Sequence, residues 1–407
     1  MSIASPWVHV ARTAAALAAG MGVGRFVYTP ILPLMQTRAG LSAAAGADLA
    51  TANYAGYLLG ALAGILVPAL VRSRAVLRGS LIVLTATLAA MPLTHSTTVW
   101  AVLRLVAGVA SALVFVVAAG SLLQHLRAHP PHLSGWAFGG VGAGIALSGL
   151  LVLAPGTASD WRAAWWASAA LAAVLTAGAW TLRPQESASG PAAGTGRRTH
   201  RWFWTLLVAY TLEGAGYIVA GTFLVAAIGQ NSPGRVGSAA WVLVGLAAVP
   251  STALWARLAR RWSRPGLLSA ALLVQAVGIA LPALVGGVAA ALVSAVLFGA
   301  TFLGICTLAL ATGTQLGFPR SVALLTAGYS VGQILGPPAV APLLHDGYRA
   351  ALFLATLVVL ASAAATVVLR IGFPRPMVAA GGSRRESTKD ARPTHLGPDA
   401  LAPHSAD

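Results

Sequence analysis

Long apolar runs recur down the whole chain, each closed by a short break of arginine, glycine or proline. A helix that crosses a bilayer needs roughly 20 apolar residues, and Gly or Pro between such runs marks a turn. Read this way, the sequence predicts twelve spans, at 11–35, 48–70, 77–94, 99–124, 134–154, 163–182, 202–228, 238–257, 266–286, 288–316, 321–344 and 350–372. The faintest boundary lies between the ninth and tenth, where Gly286 and Gly287 alone mark the turn. The fold class expected is an all-α membrane protein with twelve transmembrane helices.

Composition agrees with a lipid setting. The chain is 57% hydrophobic and 9% charged, and its mean hydropathy is +0.78. Soluble domains carry about 25% charged residues. A formal charge of +17 would suit nucleic acid, but the basic residues come in bursts between the apolar runs and form no stripe on a soluble fold. With the N-terminus inside, twenty of them fall in the inner loops and tails, against Arg38, Arg162, Arg235 and Arg349 outside. That asymmetry obeys the positive-inside rule and makes both termini cytoplasmic. Arginine outnumbers lysine twenty-five to one, a GC-rich usage that points to the inner membrane of a bacterium. Met1 to His9 lacks the charged start and cleavage site of a signal peptide, so the first helix is expected to be retained.

The longest loop, 183–201, reads RPQESASGPAAGTGRRTHR and has a flexible linker's composition. It divides the chain into a six-span half at 1–182 and another at 202–372. The polar tail at 373–407 is expected to be disordered and cytoplasmic. An internal repeat supports the division: Arg162 of Asp160-Trp161-Arg162 matches Arg349 of Asp346-Gly347-Tyr348-Arg349 at 187 residues, Gly22 matches Gly214 at 192, and Gly140 matches Gly328 at 188.

Against this apolar background a few polar residues stand out. Glu213 is the one acid placed deep in a span, and Arg25 is its counterpart in the first. Arg25 lies 13 residues past Arg12 and Glu213 lies 12 past Arg201. At ~1.5 Å per residue both sit about 18–20 Å from the inner boundary, near mid-membrane. Ionisable residues at that depth are costly, and functional by default. Arg25 would anchor an anion or carboxylate and Glu213 would carry a proton or partner a cation; the plainer reading is an ion pair fastening two halves. Tyr28 follows Arg25 by three residues and Tyr217 follows Glu213 by four, so each shares its partner's helix face. Asn53 with Tyr57, and Tyr329 with Gln333, make similar pairs that could line a small-molecule cavity or simply bond helix to helix.

No metal or cofactor is expected. Cys306 is the only cysteine, and His125, His129 and His132 are separated by Pro130-Pro131 with no acid beside them. The spans hold no histidine or paired acids for an intramembrane enzyme, and a channel would favour a ring of repeated polar groups.

Several stretches carry a family resemblance. Arg104-Leu105-Val106-Ala107-Gly108 in the fourth span resembles the Arg-xxx-Gly motif of the major facilitator superfamily, and GYSVGQILGP (328–337) resembles its Gly-Pro motif, though in the eleventh span. GMGVGRFVYTPILPLM (20–35), ANYAGYLLGAL (52–62) and LEGAGYIVAGTFLVA (212–226) are similar to the YbfB/YjiJ-like branch. The resemblance implies two pseudo-symmetric six-helix halves, with the first and seventh helices facing each other across a central cavity. It gives Arg104 a structural or coupling role at backbone carbonyls. The usual Asp-bearing loop is absent after the second span (PALVRSRAVL, 68–77) and after the eighth (LWARLARRWSR, 254–264), so its gating network does not carry over. Taken with the lone deep acid Glu213 as the proton carrier, the function expected is secondary, proton-coupled transport of a small organic solute across the inner membrane by alternating access in a monomer.

Overall fold

The computed structural model describes residues 6–126, 129, 132–154, 160–184, 200–231, 235–285 and 287–373. Residues 185–199 of the expected linker and the tail beyond 373 lie outside them. The residues up to Phe373 form one compact unit. Regular structure among the described residues is helical: α1 Pro6–Leu17, α2 Tyr28–Arg38, α3 Ala43–Leu66, the short α4 Pro68–Val71, α5 Arg74–Ala90, α6 Thr97–His125, α7 His132–Leu153, α8 Trp161–Ala179, α9 His200–Asn231, α10 Val236–Leu258, α11 Arg264–Leu284, α12 Gly287–Gln315, α13 Ser321–Val340 and α14 Arg349–Arg370.

Local chemistry sets these boundaries. Ser42, Ser73, Ser96 and Ser263 each accept a hydrogen bond from the backbone N–H three residues on, capping α3, α5, α6 and α11. Pro68 ends α3 at Leu66, four residues short of the expected limit, because proline has no N–H to continue the ladder. Pro342 does the same after α13, where the chain tightens into a 3₁₀ turn over Ala341–Asp346. Gly287, with φ +80°, makes the turn between the ninth and tenth spans.

Among the described residues, ten helical stretches are long and apolar enough to cross a membrane. The expected sixth and eleventh spans are present as α8 and α13, of 19 and 20 residues, but fall outside those ten. At ~1.5 Å per residue both still reach ~30 Å. The α13 sequence is diluted by Ser, Tyr, Gln and Gly, and carries Pro337-Pro338 in its last turn.

The first span departs furthest from expectation. One helix over 11–35 is replaced by α1, a π-helical segment over Ala18–Val23, a hydrogen-bonded turn at 24–27 and then α2. Gly20, Gly22 and Gly24 permit the wide π turn, while Pro30 and Pro33 supply no N–H to the start of α2.

Helix pairing repeats along the chain. The π segment packs on α7 as α9 packs on α13, α3 on α6 as α10 on α12, and α5 on α8 as α11 on α14. Glycines of the fifth and eleventh spans, Gly144 and Gly332 at the same 188-residue offset, make the first of these contacts: a Cβ on Gly144 would collide with Ala18 and Gly22, and one on Gly332 with the carbonyl of Thr211. A different seam joins α7 to α10. Along it Gly135, Gly139, Gly142 and Gly149 face Ala253, Val249, Gly245 and Val242, backbone against backbone.

Candidate substrate and coupling site

The break in the first span positions the site. Its carbonyls at Gly24 and Arg25 each accept a hydrogen bond from Arg104, at 3.3 and 3.2 Å. A neighbouring helix is one of the few sources of donors for backbone opened at membrane depth. Asn53 on α3 in turn donates to the carbonyl of Arg104, at 2.8 Å.

Arg25 sits on the turn itself, 3% exposed. Its guanidinium carbon lies 4.4 Å from the ring centre of Tyr57, 4.9 Å from Tyr54 and 5.5 Å from Phe26, all within cation–π range. One Nη donates to Oε1 of Gln333 on α13, at 2.6 Å, while Nε has no partner. Beyond Gln333 lies a slab of near-parallel rings. Tyr217 stacks on Phe298, Phe302 and Tyr329 with centroids 5.7 to 6.0 Å apart and interplanar angles of 6 to 17°. Tyr210 stacks on the other side of Tyr329 at 4.4 Å, and Sγ of Cys306 donates to the Tyr329 hydroxyl at 3.5 Å.

Further contacts cross the same region toward the end that holds Arg38 and Tyr348. The Thr29 hydroxyl donates to the Gly221 carbonyl at 2.5 Å, and the hydroxyls of Tyr54 and Thr222 bond at 2.8 Å. Gln36 and Tyr348 exchange two hydrogen bonds, 2.7 and 3.0 Å. Burial raises the Tyr348 phenol above its usual range against the opposing pull of Gln36, so it remains a donor near neutral pH. Thus α2 packs on α9, whereas α1 packs on α6, α7 and α8.

Arg25, Tyr57, Tyr217, Tyr329 and Gln333 therefore meet in one cluster. Tyr28 does not join it: its ring lies under Arg104 at 4.8 Å and its hydroxyl bonds the carbonyl of Gly46. The break between Arg25 and Tyr28 turns the two side chains apart. Asn53 is spent on Arg104.

Glu213 also lies elsewhere. Among the described residues both carboxyl oxygens are buried without a hydrogen-bond partner, and the expected ion pair with Arg25 is not formed. The side chain faces α11 and α14, among Tyr210, Leu268, Leu272, Ile305, Ser362 and Thr366. Residues sequence reasoning passed over are Tyr54, which shares the face of Tyr57 by its i−3 spacing; the Phe298–Phe302 pair on α12; and Gln275, a lone amide deep in the ninth span. Of the histidines, His125 stacks on His9, centroids 4.1 Å apart; the side chain of His132 lies outside the described residues.

Two crystal structures of the nucleoside transporter NupG, one of them of a mutant, share the fold. Each superposes with a TM-score of 0.65 at 14% identity; they cover 91% and 89% of this chain and 99% and 98% of theirs. No curated protein sequence matches the chain. The family model described as the uncharacterised MFS-type transporter YbfB matches residues 17–371, and the chain belongs to this family of membrane transporters.

Proposed function

We propose that the chain is a secondary transporter that moves a small organic anion by alternating access, coupled to protons through Glu213. The observation that carries this reading is Arg25: a buried guanidinium with an unpartnered Nε, no carboxylate bonded to it, and a wall of parallel rings beside it. An incoming carboxylate would take the fork geometry arginine offers, and the rings would hold a flat body. In this reading the halves are 1–182 and 202–372, the spans number twelve, both termini are cytoplasmic in a bacterial inner membrane, and a monomer suffices. The end carrying Gln36 and Tyr348 is then the outer one.

Binding is tested by melting purified protein with aromatic carboxylates, their matched amides and amines, and nucleosides. A ligand at 100 times its Kd stabilises by about 2.7 kcal/mol. Carboxylates should stabilise the wild type and not Arg25→Gln; equal stabilisation of both proteins by uncharged compounds would remove Arg25 as the anchor. In proteoliposomes, Glu213→Gln should abolish accumulation driven by a pH gradient while leaving exchange intact; persistent accumulation would end the proton-carrier role.

A further inference from the structure

Four polar atoms without hydrogen-bond partners among the described residues gather away from the Arg25 cluster: both carboxyl oxygens of Glu213 on α9, and Oε1 and Nε2 of Gln275 on α11. Both residues are fully buried. Gln275 is near enough to interact with Glu213, although no hydrogen bond is formed. The hydroxyls of Ser362 and Thr366 offer no spare hydrogen, because they donate to the carbonyls of Ala209 and Ala363. Leu268, Leu272 and Ile305 close the rest, and the enclosure has no room for a water molecule.

A carboxylic acid and a primary amide are complementary. The acid O–H donates to the amide oxygen, and the amide N–H donates to the acid carbonyl, closing a ring of two hydrogen bonds. That ring would satisfy all four atoms at once. A carboxylate could take only the N–H bond, would set its second oxygen against Oε1, and would find no cation. The titratable groups that interact with Glu213 are Tyr210 and Tyr217 on α9, Cys306 on α12 and Tyr329 on α13, and none of them is cationic.

We infer that Glu213 in its acid form and Gln275 make a proton-dependent clasp between α9 and α11, in a compartment separate from the substrate cluster. Resting on the reading of Glu213 as the coupling residue, it assigns Gln275 as the positioning residue for the bound proton. Tyr210 is the partition, since its ring lines the compartment on one side and stacks on Tyr329 on the other. Loss of the proton breaks the ring and frees α9, the helix that also carries Tyr217.

Infrared difference spectra of the full chain in lipid, between alkaline and acid buffer, test the clasp. One carboxylic-acid carbonyl band is expected, slow to exchange its hydrogen for deuterium and absent in Glu213→Gln. In Gln275→Met, which keeps the side-chain length, that band should move to the higher frequency of an acid without a hydrogen bond. Glu213→Gln can still close an amide–amide ring, so its melting temperature should match the acid-pH wild type and lose its pH dependence. An unmoved band in Gln275→Met, rapid exchange in the wild type, or a Glu213→Gln protein that melts well below the acid-pH wild type would overturn the clasp. The two readings separate: an unmoved band with accumulation lost in Glu213→Gln leaves proton coupling standing without the clasp. A shifted band with accumulation intact leaves the clasp without the coupling.

Discussion

Gly108 shows how much one hydrogen atom in place of a methyl can decide. Its Cα faces the backbone of α3 so closely that a Cβ would run into the carbonyl of Asn53. Only at that approach can the Asn53 amide reach the carbonyl of Arg104. Gly108→Ala should therefore push α3 and α6 apart and cost about 1–3 kcal/mol, the usual range for overpacking a tight contact. Thermal melts in detergent check it, with Gly79→Ala as the control, because nothing lies within 4 Å of a Cβ there and a helical Gly→Ala change is neutral or stabilising. If both variants melt alike, the close approach is not what Gly108 provides. At this scale the sequence spoke through cost: Arg25, Tyr57, Tyr217, Tyr329 and Gln333 are conspicuous because polar groups are expensive in an apolar span, and they do converge. It could not show where Glu213 points, since depth along a helix says nothing of azimuth. Tyr28 misled because the i+3 rule presupposes an unbroken helix.

Among the elements, the first span matters most. A straight helix would have hidden its carbonyls; the π segment and the turn at 24–27 open them and hand them to Arg104. Arg104→Met should orphan the carbonyls of Gly24 and Arg25, at about 1–3 kcal/mol for each buried group left unsatisfied. Arg104→Lys, with one compact ammonium in place of a fork, should recover part of that loss. A melting series of the two variants decides the matter; equal stability of Arg104→Met and wild type would show that other donors serve the break. Gly20, Gly22, Gly24, Pro30 and Pro33 are the residues that weaken the helix, although the apolar run over 11–35 reads as one span. The rotation the break imposes was not legible, because it depends on what α6 offers from the other side. Most other ends were readable from their prolines and glycines, as at Gly287.

For the whole molecule, the repeated order of helix pairing favours the proposed division into two halves. Thr29–Gly221, Tyr54–Thr222 and Gln36–Tyr348 then cross between halves on one side of the Arg25–Gln333 bond. Interhelical hydrogen bonds in membranes average about 0.6 kcal/mol, which is roughly a threefold change in a two-state population. Tyr348→Phe keeps the stacking on Phe223, removes both bonds to Gln36, and should raise the population open at that end by at least that factor. Spin labels replacing the exposed Arg38 and Arg349 report it as growth of the longer distance. An unchanged distance distribution would show that Gln36 and Tyr348 do not hold that end.

The glycine-lined seam between α7 and α10 bears on the same motion. Most helix pairs interlock through side chains, so turning one against the other means lifting ridges out of grooves and changing rotamers. Where Gly135, Gly139, Gly142 and Gly245 meet backbone, much of that tooth is filed away. Such a contact works as a plain bearing: it holds two bodies at a fixed spacing and offers little resistance to rotation about its own line.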